Sequence, residues 1–259
     1  MLRTYFMFKT QYLKTAMEYK FNFFMMVIAG MLMRTLMMAV AYVLFRNVPT
    51  IAGFSEGEVY LIMAFMYISE GMCNLFFDGV WYIPSLVFSG KLDVMLVRPV
   101  SPLFQIMSHE IGLQGFGVVV QGVVSLLLAM GSLGWFSTGH LLLCLVFIVC
   151  GTAIRVSTYI IGACGVFWMN TDGKNNIPYT MYSIGEFAKY PVNVYPIWMR
   201  VILFVVIPFA FIGYVPALLF RGEQVLLYGL ALAAMTIAYS FLARTVFYRG
   251  IKRYESMGM

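Results

Sequence analysis

Long apolar runs, separated by short polar or proline-containing intervals, dominate the chain from residue 21 onward. A helix needs about 20 mostly apolar residues to cross a bilayer. Five runs meet that length, at 21–45, 59–83, 104–130, 141–169 and 225–247. A sixth span must lie within 177–220, which is longer than one crossing and is interrupted by Pro178, Pro191, Pro196, Pro208 and Pro216. Proline at that density breaks a helix repeatedly. The region is therefore read as a span over 177–194, followed by a broken hairpin over 195–220 that re-enters from the outer side. Backbone groups freed by proline at that depth need partners from neighbouring protein. The alternative, a polar inner loop followed by one span from Ile197, has the same parity.

The first twenty residues follow a different period. Leu2, Tyr5, Phe6, Tyr12, Leu13, Ala16 and Met17 recur at helical spacing, with Arg3, Gln11, Lys14 and Glu18 on the other side. This predicts an amphipathic helix over 1–20 lying in the membrane interface, with the stems of Lys9 and Lys20 reaching up to lipid phosphates. The segment contains no apolar stretch ending in a small-residue cleavage site, so no signal peptide is expected to be removed.

Composition strengthens the membrane reading. The chain is 62% hydrophobic and only 11% charged, with a mean hydropathy of +0.86. Soluble domains carry about 25% charged residues. Nucleic-acid binding is a poor explanation of the +6 net charge, because the basic residues sort by side. With the N-terminus inside, inner segments hold Arg3, Lys9, Lys14, Lys20, Lys91, Arg98, Lys174, Arg249, Lys252 and Arg253, while only Arg46 and Arg221 are firmly outside. Both chain ends are accordingly expected in the cytoplasm. Little chain remains on the outer side, so no outer domain is expected.

Three charges fall inside spans. Arg34 lies thirteen residues from the inner end of the first span, Glu70 thirteen from that of the second and Arg155 fourteen from that of the fourth. At about 1.5 Å per residue all three share one level, roughly 20 Å up. A charge there costs about 2.5 to 3.5 kcal/mol unless it is paired or wetted. In a structural reading Glu70 pairs with Arg34 or Arg155 and locks adjacent spans. In a functional one an arginine lines the route and meets an anionic part of the cargo.

Enzyme signatures fail in turn. His109-Glu110 begins a zinc-protease pattern, but the second ligand position is Leu113. There is no GxSxG, and Asp78 has no second intramembrane aspartate to share a proton with. Gly90-Lys91 is followed by Leu92, so no phosphate-cradling loop is formed and any ATP energy must come from another polypeptide. Cys73, Cys144, Cys150 and Cys164 are unpaired by spacing and are read as packing residues. No catalytic, cofactor-binding or metal-binding residues are assigned.

The inner loop over 84–103 is the informative exception. Leu86, Val87, Phe88, Leu92, Val94, Met95, Leu96 and Val97 make it far more apolar than a free cytoplasmic loop. An exposed apolar patch on a charged face suggests a docking element for a partner.

These residues also carry a resemblance. Gly90-Lys91-Leu92-Asp93 with Leu96-Val97-Arg98-Pro99-Val100-Ser101-Pro102 resembles the G-x-L-D-x-x-L-x-R-P-x-S loop of the six-span permease subunits of type-2 ABC exporters. The closing run Tyr248-Arg249-Gly250-Ile251-Lys252-Arg253-Tyr254-Glu255-Ser256, in the 248–259 tail, resembles their G-x-x-R-Y-x-S ending. Ile207-Pro208-Phe209 with Tyr214-Val215-Pro216-Ala217 is similar to their P-x-A-x-x-x-Y-x-P segment. The resemblance implies a single transmembrane domain in the bacterial inner membrane, paired with an identical or related permease and with two cytosolic ATPase subunits that bind ATP and Mg. It implies that Gly90, Lys91, Leu92, Asp93, Leu96, Arg98 and Pro99 belong to a coupling helix seated on the ATPase. It further implies export of an amphipathic or lipid-like substrate between the two permeases. An ATP-independent channel or assembly scaffold is the competing function, but a channel has no reason to display an apolar inner loop.

Overall fold

The computed structural model describes residues 10, 14, 18–169 and 175–255. The interfacial helix expected over 1–20 and the basic residue at 174 lie largely outside the described residues. Among the described residues the chain is helical with no strand, and only an isolated bridge joins Ile51 to Phe54 in the first outer loop.

Five helical rods are long and apolar enough to cross a membrane. They are α1 (Lys20–Asn47), a rod over Glu56–Phe88 that begins as α2 (Glu56–Phe77), α6 (Gln114–Leu133), Thr138–Phe167 beginning as α7 (Thr138–Ala163), and α11 (Val225–Arg253). A sixth unit is bent. Ile197–Val206 and Phe209–Phe220 meet at 76° across Pro208. The shorter helices are α3 (Ile83–Phe88), α4 (Lys91–Leu96), α5 (Pro102–Ser108), α8 (Ile177–Gly185), α9 (Ile197–Val201) and α10 (Tyr214–Phe220).

The rods are ordered by what their surfaces can bury. α2 lies between α6 and α7, α1 packs chiefly on α6 while also touching α2, and α11 packs on α7. Close approach of α1 to α6 depends on missing side chains. A Cβ on Gly117 would collide with the Val27 carbonyl, and one on Gly30 would lie 2.5 Å from the Gln114 carbonyl. Without a hydrophobic driving force between helices in lipid, such backbone-to-backbone packing is a principal source of cohesion. The outer start of α2 is capped by Ser55, whose N–H and hydroxyl donate to Glu58 Oε2 at 2.7 and 2.8 Å, closing a capping box. Arg221, just after α10, donates to the same oxygen at 2.7 Å and lies over the Phe54 ring at 4.0 Å. The end of the bent unit is thereby fastened to the first outer loop.

The apolar run over 104–130 is two helices rather than one. α5 ends at Ser108 and α6 starts at Gln114, and the Gly112 N–H in the break donates to the Asn74 carbonyl of α2 at 2.9 Å. The polar trio Ser108-His109-Glu110 falls in this interruption, where the chain turns instead of continuing through the bilayer. At the other end α11 runs to Arg253, so the tail begins as helix. The segment 177–194 is α8 followed by two short 3-10 turns, Glu186–Lys189 and Val192–Val194. Carbonyls freed by the proline breaks find partners: Tyr239 of α11 donates to Val205 and Val206, and Arg200 donates to Tyr195 and Asn193 at 2.7 Å. Asn193 in turn donates to the Ala52 carbonyl at 3.1 Å.

Candidate functional site

Glu70 projects from the middle of α2 and is 3% exposed. Placing a carboxylate there requires a partner, and Arg34 of α1 supplies it through an ion pair. The Tyr182 hydroxyl of α8 donates to the same carboxylate at 3.4 Å. The pair keeps two unused polar atoms, since Glu70 Oε2 and Arg34 Nε have no hydrogen-bond partner among the described residues.

Arg155 of α7 is fully buried and is engaged differently. Its guanidinium donates to the Ser69 hydroxyl at 3.2 Å, the Met66 carbonyl at 3.1 Å and the Tyr159 hydroxyl at 3.1 Å, and stacks over the Phe209 ring at 4.6 Å. Arg155 thus knits α2, α7 and the bent unit without its own carboxylate, the ring face and neutral acceptors sharing its charge. Sequence reasoning missed a second pair in the same layer. Lys189, 5% exposed, pairs with Glu186 and lies over the Tyr67 ring at 5.0 Å. The available signal was the i,i+3 spacing of Glu186 and Lys189 in an apolar setting, obscured by the surrounding prolines.

Below the Arg34–Glu70 pair lies a cavity of about 360 Å³ reaching to Asp78 and Tyr82. One wall is aromatic: Trp81 lies 4.8 Å from Tyr159 and 6.3 Å from Tyr182, ring centre to ring centre, and Tyr179 lies 6.2 Å from Tyr182. Tyr179 is largely exposed at the rim.

The inner loop divides its apolar residues between two faces. Gly90 takes a left-handed backbone, φ +68°, to start α4. From there Leu92 is fully buried and Met95 and Leu86 nearly so, while Phe88, Val94, Leu96 and Val97 are exposed. Val97, at 84% exposure, is the most prominent. Leu92 therefore anchors the loop to the protein instead of contributing to an outward face. Lys91, Arg98 and Pro99 are exposed, Gly90 and Asp93 half-buried. The Gln105 amide of α5 holds the loop by donating to the Met95 and Val100 carbonyls at 2.9 and 2.8 Å. The chain's last helix reaches the same place. Ser101 and Tyr248 share a hydroxyl hydrogen bond at 2.9 Å, and burial together with the neighbouring Asp93 carboxylate pushes the Tyr254 phenol up to about 12. Loop and tail, far apart in sequence, form one structural unit.

A family model described as ABC-2 family transporter protein matches residues 19–258, nearly the whole chain. The chain belongs to the ABC-2 transporter family. No curated protein and no solved structure matches it. Membership makes it the permease component of an ABC transporter, a multi-pass membrane protein working with ABC ATPase subunits that carry out ATP hydrolysis. For an ABC-2 permease the tethered inner loop and the buried charged layer are the two features that call for a role. His109 and Glu110, the start of the failed protease pattern, lie beside each other at 3.6 Å on the flank of α5. Among the described residues no group of His, Cys, Asp and Glu is arranged to hold a metal ion.

Proposed function

We propose that this ABC-2 permease forms the export pathway for an amphipathic or lipid-like substrate, as one half of a permease pair coupled to two cytosolic ATPases. The observation that carries this reading is the split of the inner loop. One face, Leu92 and Met95, is sunk into the protein, and the other presents Val94, Leu96 and Val97 outward from a support braced by Gln105, Ser101 and Tyr248. An apolar crest on a rigid mount transmits force, whereas one on a loose loop would only yield. ATP binding draws the ATPases together, the crest moves with them, and α11 carries the displacement into the membrane. ATP and Mg reside on the ATPase subunits. The Gly90–Pro99 segment is the coupling element, with both termini in the cytoplasm of a bacterial inner membrane.

In this reading 177–194 crosses to the outer side and the bent unit dips back from it. Asn193 and Phe220 support that path, since Asn193 bonds the first outer loop and Phe220 stacks on Trp135 beside the second, while Phe209 between them reaches Arg155 in the charged layer. A reporter active only outside the membrane should be active after Gly134 and Glu223 and silent after Ser101.

The decisive experiment replaces Leu96 and Val97 together with Asp. Desolvating unpaired carboxylates at a docking surface is costly, so the variant should assemble in the membrane yet lose the ATPase on purification, or lose cargo-stimulated hydrolysis. Wild-type stimulation in the double variant would refute the docking role. Leu92→Asp, by contrast, should disrupt the loop itself.

A further inference from the structure

Arg34 and Arg155 are engaged inside the protein, the first by Glu70 and the second by Ser69, Met66, Tyr159 and Phe209. Arg244 of α11 also lies within an apolar run, 225–247, but near its inner end. It is exposed, and among the described residues no carboxylate pairs with it. Its guanidinium lies over the Tyr248 ring at 5.9 Å, one turn towards the inner end of the helix. A long basic side chain near a helix end reaches in this way for the polar boundary of the membrane. Arg244 also lines a second cavity, of about 510 Å³, walled by α7, α11, α5 and the last part of α2. Phe77, Leu103, Met107, Ile148, Val156 and Ile160 make that wall apolar. The hydroxyls that fall on it turn to the protein, Thr152 donating to the Ile148 carbonyl at 2.7 Å and Ser157 to Ser240 at 3.5 Å. Arg244 is the charged group of its described lining. The cavity is a groove open to the outside of the bundle, since Val149 on its edge is 69% exposed and Ser240 is exposed as well. Along α7 it runs the twelve residues from Ile148 to Ile160, about 18 Å at the rise of a helix. One leaflet contributes about 15 Å of a hydrocarbon core about 30 Å thick.

We infer that this groove holds an acyl chain of an anionic inner-leaflet phospholipid whose phosphate is bound by Arg244. The apolar wall is about as long as one leaflet is deep, and the guanidinium stands at its inner end, where the head group of such a lipid lies. A guanidinium matches a phosphate in both charge and geometry. Basic positions between helices on the inner side of a membrane are where anionic head groups settle. The lipid stays with the protein instead of passing through it, so this goes beyond the export reading. Tyr248, which the guanidinium meets, also shares its hydroxyl hydrogen bond with Ser101. The head group is thereby placed beside the joint between α11 and the inner loop.

The test is native mass spectrometry of the complete permease–ATPase complex, equilibrated with equal amounts of phosphatidylglycerol and phosphatidylcholine of matched chains. The wild-type permease should retain phosphatidylglycerol in preference by about fivefold. Arg244→Gln, at an exposed position that does not threaten folding, should abolish the preference. Ala153→Phe, which fills the groove from its half-buried wall, should lower retention of both lipids. Arg249→Gln removes the same charge from an exposed position of α11 outside the groove, and should leave the preference in place. An equal loss in Arg249→Gln would reduce the effect to general attraction between a basic surface and anionic lipid, and would overturn the site. Wild-type protein without a preference, or undiminished retention in assembled Ala153→Phe, would overturn it too. So would an Arg244→Gln permease that falls out of its complex, since the groove would then be a contact between protein chains.

Discussion

α2 and α11 are both long enough to span a bilayer, and they use it in opposite ways. Of the apolar window in the Glu56–Phe88 rod that begins with α2, 78% is buried inside the protein; for α11 the figure is 6%, and for α1 it is 11%. The buried rod is also the less apolar one, carrying Glu58, Ser69 and Glu70, whereas α11 turns Leu226, Leu230, Ile237 and Phe241 outward. In a soluble protein this order would be inverted. Here lipid is as good a solvent for leucine as a core is, so strongly apolar faces gain nothing by turning inward, while polar groups must. The interior is recognised by its polarity and its small residues.

The largest test of this contrast removes the charge that makes α2 an interior helix. Glu70→Ala leaves the half-buried Arg34 guanidinium without its partner and should cost about 3 kcal/mol, the low end for breaking a buried pair. It should be seen as loss of monodisperse protein after mild heating. Arg34→Gln with Glu70→Gln should recover part of what either single loses, as a coupling energy in a double-mutant cycle. If both singles assemble like wild type, the pair is not a lock.

Next in size is Gly117→Leu, which forces α1 away from α6 against the Val27 carbonyl. Overpacking of this kind costs about 1 to 3 kcal/mol, and crosslinking between cysteines placed on α1 and α6 should fall accordingly. Unchanged crosslinking would mean that α1 is held by something other than backbone contact.

Leu61→Ala against Leu230→Ala compares the two helices directly. Leu61 is fully buried in α2 and Leu230 is 63% exposed on α11. The first should destabilise by about 2 kcal/mol, the low end for a buried leucine because lipid removes much of the transfer term. The second should stay within about 0.5 kcal/mol. Equal losses in thermal unfolding would show that α11's outer face is covered by another chain.

The smallest effect is expected at the outer rim. Arg221→Gln releases the bond to Glu58 while Ser55 still caps α2, and for a partly exposed pair about 1 kcal/mol or less is anticipated, read as faster proteolysis of the first outer loop.

How much of this was legible beforehand depends on what kind of property is asked about. The all-α, polytopic character followed from run length alone, because a bilayer imposes a minimum of about 20 residues on any helix that crosses it. Counting from span ends brought Arg34, Glu70 and Arg155 to one depth, since rise per residue is constant. Choosing between the arginines was beyond that count. The choice depends on the rotation of each helix about its axis and on a tyrosine, Tyr182, from the proline-broken region. Leu92 likewise looked equivalent to Leu96, because a six-residue helix is too short to declare which side is inner. Lys189 and Glu186 were obscured by prolines that made their span hard to draw.

From the sequence by itself came the membrane class, the broken region and the family resemblance of loop and tail, all of them local properties of composition, length and spacing. Only the tertiary structure decided that Glu70 joins Arg34, that Arg155 is held by a ring face and neutral oxygens, that Tyr182 reaches the Glu70 carboxylate while meeting the Trp81 ring, and that Tyr248 braces Ser101. These contacts join residues dozens of positions apart. They exist because helices confined to a bilayer retain one freedom that local sequence does not encode, rotation and order around the bundle, and packing of polar and small faces against one another selects it.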